Sequence, residues 1–160
     1  ELTENTVTGG VSMINRALAD LWTGQEEYEL LMHDWYLGLL AAAFGNLVYI
    51  DRPGELYRQH SNNVLGARTL RKRVKNWVRP HVLFAKYWKL IKDSQTQARN
   101  LLVLPLTAEN RELIENFVTI MEVPFKERWR RIRQYGYRKN RTFHTLVFTS
   151  LILTKFAYKE

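Results

Sequence analysis

Cysteine is absent from the 160 residues. That excludes disulfides and thiolate metal sites, and it matches the usage of a reducing cytoplasm. A long apolar run is also missing. The most apolar stretch, residues 143–153, is interrupted by His144, Thr145, Thr149 and Ser150. It falls short of the roughly 20 residues a spanning helix needs. Acids are scarce in the second part of the chain. Residues 61–160 hold seven against twenty-one Lys and Arg, a net of +14, whereas residues 1–60 hold nine acids against three bases, a net of −6. Such asymmetry points to two functional regions and to an anionic partner for the second, whether a membrane surface, nucleic acid or a phosphate-bearing substrate. What is plentiful is apolar and aromatic surface, 46% and 12% of the residues. That supplies a core and argues against disorder.

The chain is organised around residues 32–63. Asp34 is placed to cap a helix over 35–44, and Gly45 is the natural residue after its end. Residues 47–50 are a short β-prone run, Asp51-Arg52-Pro53-Gly54 carries turn chemistry, and 56–58 return as a second strand. Two polar clusters, His33-Asp34-Trp35 and Arg58-Gln59-His60, then stand at the ends of a small hydrophobic unit. Upstream, Gly9-Gly10 permits either a close backbone approach or a plain turn. Residues 11–14 suit a short strand, Asn15 caps a helix over 16–22, and 23–29 form an acidic loop.

Beyond Asn63 the pattern becomes helical. Residues 68–77 are basic and helical in composition, and Pro80 breaks or restarts them. Apolar positions recur at helical spacing over 81–104, ended by Pro105. Thr107 caps the next helix, with Glu109 in its first turn and Leu113, Ile114, Phe117, Ile120 and Met121 along one face. Helices over 124–135, closed by Gly136, and 140–157 follow. The fold expected is mainly α with a minor β component, divided into a mixed piece at 1–67 and a basic helical appendage at 68–160.

These residues carry a resemblance. Met32-His33-Asp34-Trp35, Tyr49-Ile50-Asp51 with Pro53, and Leu56-Tyr57-Arg58-Gln59-His60 with Asn62-Asn63 resemble the C-terminal half of the catalytic domain of bacterial family 2 glycosyltransferases, especially rhamnosyltransferase-like enzymes. Thr8-Gly9-Gly10, Met13 and Asn15-Arg16-Ala17-Leu18 look like the segment preceding the His-Asp in that family. The likeness covers roughly 7–67.

The resemblance implies a GT-A α/β fold and inverting transfer from a nucleotide-sugar donor to a glycan or lipid-linked acceptor, in cell-surface polysaccharide synthesis. By local sequence Asp34 is a helix cap; the resemblance makes it the general base. It further implies substrate contacts from Gly9, Gly10, His33, Trp35, Arg58, Gln59, His60 and Asn63. Trp35 on its own suits either a core or a sugar face. His60 would also help hold a divalent cation, Mg or Mn. The family's Asp-x-Asp motif has no counterpart in this sequence. The family carries it in an upstream nucleotide-binding half. The chain is therefore expected to be the C-terminal part of a longer, cytoplasmic or peripherally membrane-bound enzyme. Alone it is expected to be inactive and to bind no metal. Homo-oligomers are compatible with all of this.

Residues 126–141 hold eight bases, among them Lys126, Arg128, Arg130, Arg131 and Arg133, against the single acid Glu127. Phe125, Trp129 and Ile132 recur at i, i+4 and i+7. Three readings stand: a monotopic contact with an anionic membrane, a solvated charged face, and nucleic-acid binding by bases interleaved with aromatics. No recognition motif supports the third. A non-catalytic helical module that binds an anionic surface is the alternative to an enzyme.

Overall fold

The computed structural model describes residues 1–23, 30–55 and 80–158. Six α-helices account for most of them: α1 (Arg16–Thr23), α2 (His33–Phe44), α3 (Pro80–Asn100), α4 (Ala108–Val118), α5 (Phe125–Tyr135) and α6 (Thr142–Thr154). Short 3-10 turns lie at Gly9–Val11 and Leu101–Val103. The protein is mainly helical, as its apolar spacing predicts, and no strand forms among the described residues.

The helix ends follow local chemistry. The Asn15 side chain accepts from Leu18 N (3.0 Å), and Thr107 Oγ1 accepts from Asn110 N (3.2 Å). Both satisfy backbone donors that a first helical turn leaves free. Pro80 opens α3, where its missing N–H costs nothing. Gly136 closes α5 in the left-handed region, at φ 66°, which a glycine adopts without Cβ strain.

One hydrophobic core joins the two parts of the chain. It takes Tyr36 and Leu40 from α2, Trp88 and Ile91 from α3, Ile114 and Phe117 from α4, Ile132 from α5, and Phe148 and Ile152 from α6. Hydrogen bonds cross the same junction. Gln97 Nε2 donates to Met32 O (3.2 Å), and Asn110 Nδ2 donates to Ala43 O (3.0 Å). The N-terminal segment is laced to the α5–α6 connection as well. Lys139 Nζ donates to Thr3 O, Thr3 Oγ1 donates to Arg138 O, and Asn140 N donates to Glu4 Oε2. The expected boundary between 67 and 68, the helix over 68–77 and the strand over 56–58 lie outside the described residues.

Three local expectations are corrected. Residues 11–14 are not a strand: the 3-10 turn ends at Val11 and extended chain follows. Residues 47–50 are not a strand either, and Leu47, Val48, Tyr49 and Ile50 are all exposed. β-propensity becomes a strand only where a second segment offers a hydrogen-bond ladder, and no described segment pairs with this one. The helix α2 begins at His33 rather than Trp35, so Asp34 belongs to its first turn and Met32 occupies the cap position. Gly45 does end α2, but at φ −160°, an extended value that needs no glycine.

Candidate functional site

Asp34 lies in the first turn of α2, where a negative charge is favoured by the free N–H groups of the helix start. Its carboxylate is half-buried and accepts three hydrogen bonds. Oδ1 takes Trp35 N (2.7 Å) and Asn5 Nδ2 (3.1 Å), and Oδ2 takes Gly9 N (3.2 Å). A carboxylate has about four lone-pair directions, so about one remains for another donor. The donors also fix the orientation of the group.

Gly9 and Asp34 are 25 residues apart in sequence, and the fold brings them together. A side chain at Gly9 would crowd the exposed His33 ring. A Cβ on Gly9 would stand 2.8 Å from His33 Nε2 and 3.5 Å from Asp34 Cβ. A Cβ on Gly10 would stand 3.2 Å from both carboxylate oxygens of Glu55. Gly9-Gly10 forms a tight 3-10 turn whose backbone lies close to the His33 and Glu55 side chains. Four of the expected site residues, Gly9, Gly10, His33 and Asp34, thus form one cluster, with His33 exposed beside the carboxylate.

Two neighbours were not anticipated. Asn5 is held by its own backbone-directed bond, Oδ1 accepting from Val7 N (3.0 Å), and presents its amide to Asp34. Glu55 follows Gly54, whose missing side chain lets Val11 approach. Neither position carries a motif, and only tertiary contact reveals them.

Trp35 takes the core option. Its ring is 5% exposed and its Nε1 donates to Glu1 O (2.9 Å), so it supports α2 and offers no face to a sugar. Arg58, Gln59, His60 and Asn63 lie outside the described residues. Among the described residues no group of three His, Asp or Glu side chains is arranged to hold a metal ion. The divalent cation that the resemblance implies finds no complete ligand set there.

A separate cavity of about 740 Å³ lies between the N-terminal segment, α2, α4 and the α5–α6 connection, lined by Leu39, Asn110, Tyr135, Tyr137 and Lys139 among others. Its polar groups largely serve the fold. Tyr137 Oη donates to Leu113 O (2.6 Å), and burial pushes its phenol pKa up. Burial also lowers the Lys139 pKa, with Glu4 opposing, while its ammonium bonds Thr3 O. Asp34 and His33 are not part of this lining.

The basic helix α5 divides by side. Arg128 is 7% exposed and donates to Val123 O (2.7 Å) and Leu153 O (2.8 Å). Arg131 reaches inward to Asn116 O (3.2 Å) and Thr119 Oγ1 (3.0 Å), besides Glu127. Both are withdrawn from the expected membrane-facing set, because their donors satisfy backbone carbonyls and a hydroxyl inside the bundle. Lys126, Arg130 and Arg133 remain exposed.

Glu127 bonds Arg130 and Arg131, in that order of effect, and its pKa falls from 4.5 to about 2. The charged form is thus favoured by folding. The contribution is present above the unfolded value near 4.5 and is lost as pH falls through about 2. Glu127→Gln should therefore flatten the loss of stability between those values. Urea midpoints measured from pH 5 to pH 2 check this, and an unchanged slope would assign the acid limb to other carboxyls.

No family model, curated protein or solved structure matches this chain.

Proposed function

We propose that the chain is the acceptor-side part of an inverting nucleotide-sugar glycosyltransferase of the GT-A type, with Asp34 as general base. The observation that supports this reading is the Gly9–Asp34 contact. The likeness to family 2 enzymes rests chiefly on His33-Asp34-Trp35 in combination with Tyr57-Arg58-Gln59-His60 and Asn63. Thr8-Gly9-Gly10 looks like the segment upstream of the His-Asp, and folding brings Gly9 to the Asp34 carboxylate. A base for sugar transfer must be rigid and within hydrogen-bond reach of the acceptor hydroxyl. Asp34 is fixed by three donors and retains room for one more.

In this reading the acceptor hydroxyl donates to Asp34. The carboxylate takes its proton as the oxygen attacks the anomeric carbon, opposite the departing nucleoside diphosphate. The exposed His33 and the backbone of Gly9-Gly10 border the acceptor. The donor diphosphate falls to Arg58, Gln59, His60 and Asn63, where Arg and His suit phosphate oxygens. A divalent cation, when bound, would neutralise the leaving group.

The test is a transfer assay on the complete enzyme with UDP-, GDP- and dTDP-linked sugars. Glycosyl transfer or donor hydrolysis that disappears in Asp34→Asn supports the proposal. An active enzyme indifferent to that substitution removes Asp34, and no turnover of any nucleotide sugar removes the class.

A further inference from the structure

The outward side of α5 is an aromatic and cationic face without a partner among the described residues. A helix advances about 100° per residue. Counting from Phe125, the exposed side chains fall within an arc of about 180°: Phe125 and Trp129 at one edge, then Arg133, Lys126 and Arg130, with Gln134 at the far edge. Arg128 and Ile132, at about 300° and 340°, form the buried side, which adjoins the Phe125 edge. Phe125 and Trp129 are 54% and 44% exposed, among several large apolar side chains that the fold leaves open to solvent. No carboxylate among the described residues lies within 4 Å of Lys126 or Arg133, while Arg130 shares Glu127 with Arg131.

We propose that this face docks on an anionic lipid surface, with α5 lying in the plane of the headgroups. The inference is independent of the glycosyltransferase reading. Its basis is the combination of two half-exposed aromatic rings with unpaired cations on the adjoining arc, the pattern of an interfacial helix. Aromatic rings bury their apolar bodies at the acyl boundary while the cations meet lipid phosphates. The charge is complementary at larger scale too, since residues 61–160 carry a net +14. No helix among the described residues is long and apolar enough to cross a membrane, so the contact is in-plane.

Nucleic acid fits the same charge less well. Single-stranded binders stack bases on open aromatic faces. The Arg133 guanidinium sits over the Trp129 ring, 5.6 Å from its centroid, and covers one of those faces. An Arg held there is well placed to meet a phosphate at the depth of the indole.

The experiment is co-sedimentation of the 160-residue chain with vesicles of phosphatidylcholine, with and without phosphatidylglycerol, at low and high salt. Binding is expected only with phosphatidylglycerol and should weaken steeply with salt. Lys126→Gln with Arg133→Gln should lower partitioning by about 25-fold, taking each cation near an anionic surface as about fivefold. Both side chains are exposed, so the fold should be unaffected. Phe125→Ala with Trp129→Ala should lower partitioning at least tenfold and abolish a lipid-induced blue shift of tryptophan emission. Equal binding to neutral vesicles, no binding to anionic ones, or indifference to the Lys126 and Arg133 pair would overturn the proposal. Salt-sensitive capture of a single-stranded oligonucleotide without any response to lipid would overturn it as well.

Discussion

If the proposed glycosyltransferase function holds, Asp34→Asn in the full-length protein is expected to lower kcat by about 10²–10⁴-fold, the range of a general base, while acceptor binding changes little. The substitution is nearly isosteric, and its structural consequence can be traced bond by bond. An amide oxygen at the Oδ1 position still accepts from Trp35 N and Asn5 Nδ2. The amide nitrogen then replaces Oδ2 and faces Gly9 N–H, donor against donor. Flipping Asn5 does not relieve this, because its Oδ1 is engaged by Val7 N. One bond to a charged acceptor is lost, which costs about 1–3 kcal/mol. The variant should fold, with a lower Tm. Asn5→Ala provides the control: it removes a donor to the same carboxylate and leaves the base in place. A purely structural Asp34 predicts that the two variants lose activity in proportion to stability. A catalytic Asp34 predicts that only Asp34→Asn loses kcat while its KM holds. Near-wild-type kcat in Asp34→Asn rules out the base.

Much of the helical part was legible because its signals are local. Thr107 and Asn15 cap the helices they precede, and Gly136 takes the positive φ that ends α5. Of the expected stripe, Ile114 and Phe117 are buried on α4, Leu113 is partly buried, and Ile120 and Met121 are buried in the turn beyond its end at Val118. Each depends on residues within a turn or two. The failures are tertiary. Residues 47–50 have strand-like composition, but composition cannot supply a pairing partner. The stripe Phe125, Trp129 and Ile132 is regular in sequence, yet only Ile132 is buried, because α5 packs on the side marked by Arg128. A Trp beside a site residue reads equally as ligand or core, and for Trp35 the carbonyl of Glu1 decides it. At the candidate site the two motifs were visible and their meeting was not. Asn5 and Glu55 are polar residues in ordinary loops, and only the fold places them beside Asp34 and Gly10.

Arg128 gives the sharpest test of how α5 is seated. Charge alone assigns Arg to the surface, since it is almost never fully buried without partners. Here the guanidinium fork joins Val123 O, just before α5, to Leu153 O near the end of α6, and so clamps the hairpin of the two helices. Both acceptors are carbonyls, and no carboxylate among the described residues lies within 4 Å. Arg128→Met keeps an apolar stem of similar length and removes both bonds. Hydrogen bonds to charged groups contribute about 1.5–3 kcal/mol each. Relief from holding a buried charge offsets part of that, the more so because Arg128 Nε has no hydrogen-bond partner among the described residues. A net loss of about 2–4 kcal/mol is expected, which lowers Tm by about 4–16 °C in a chain of this size. Arg130→Gln, two positions along the same helix, should change stability little because its ion pair with Glu127 is exposed and screened by solvent. Urea unfolding of both variants measures the contrast. If Arg130→Gln proved the more damaging, the inward and outward sides of α5 would be exchanged, and the lipid-facing assignment of Lys126 and Arg133 would fall with them.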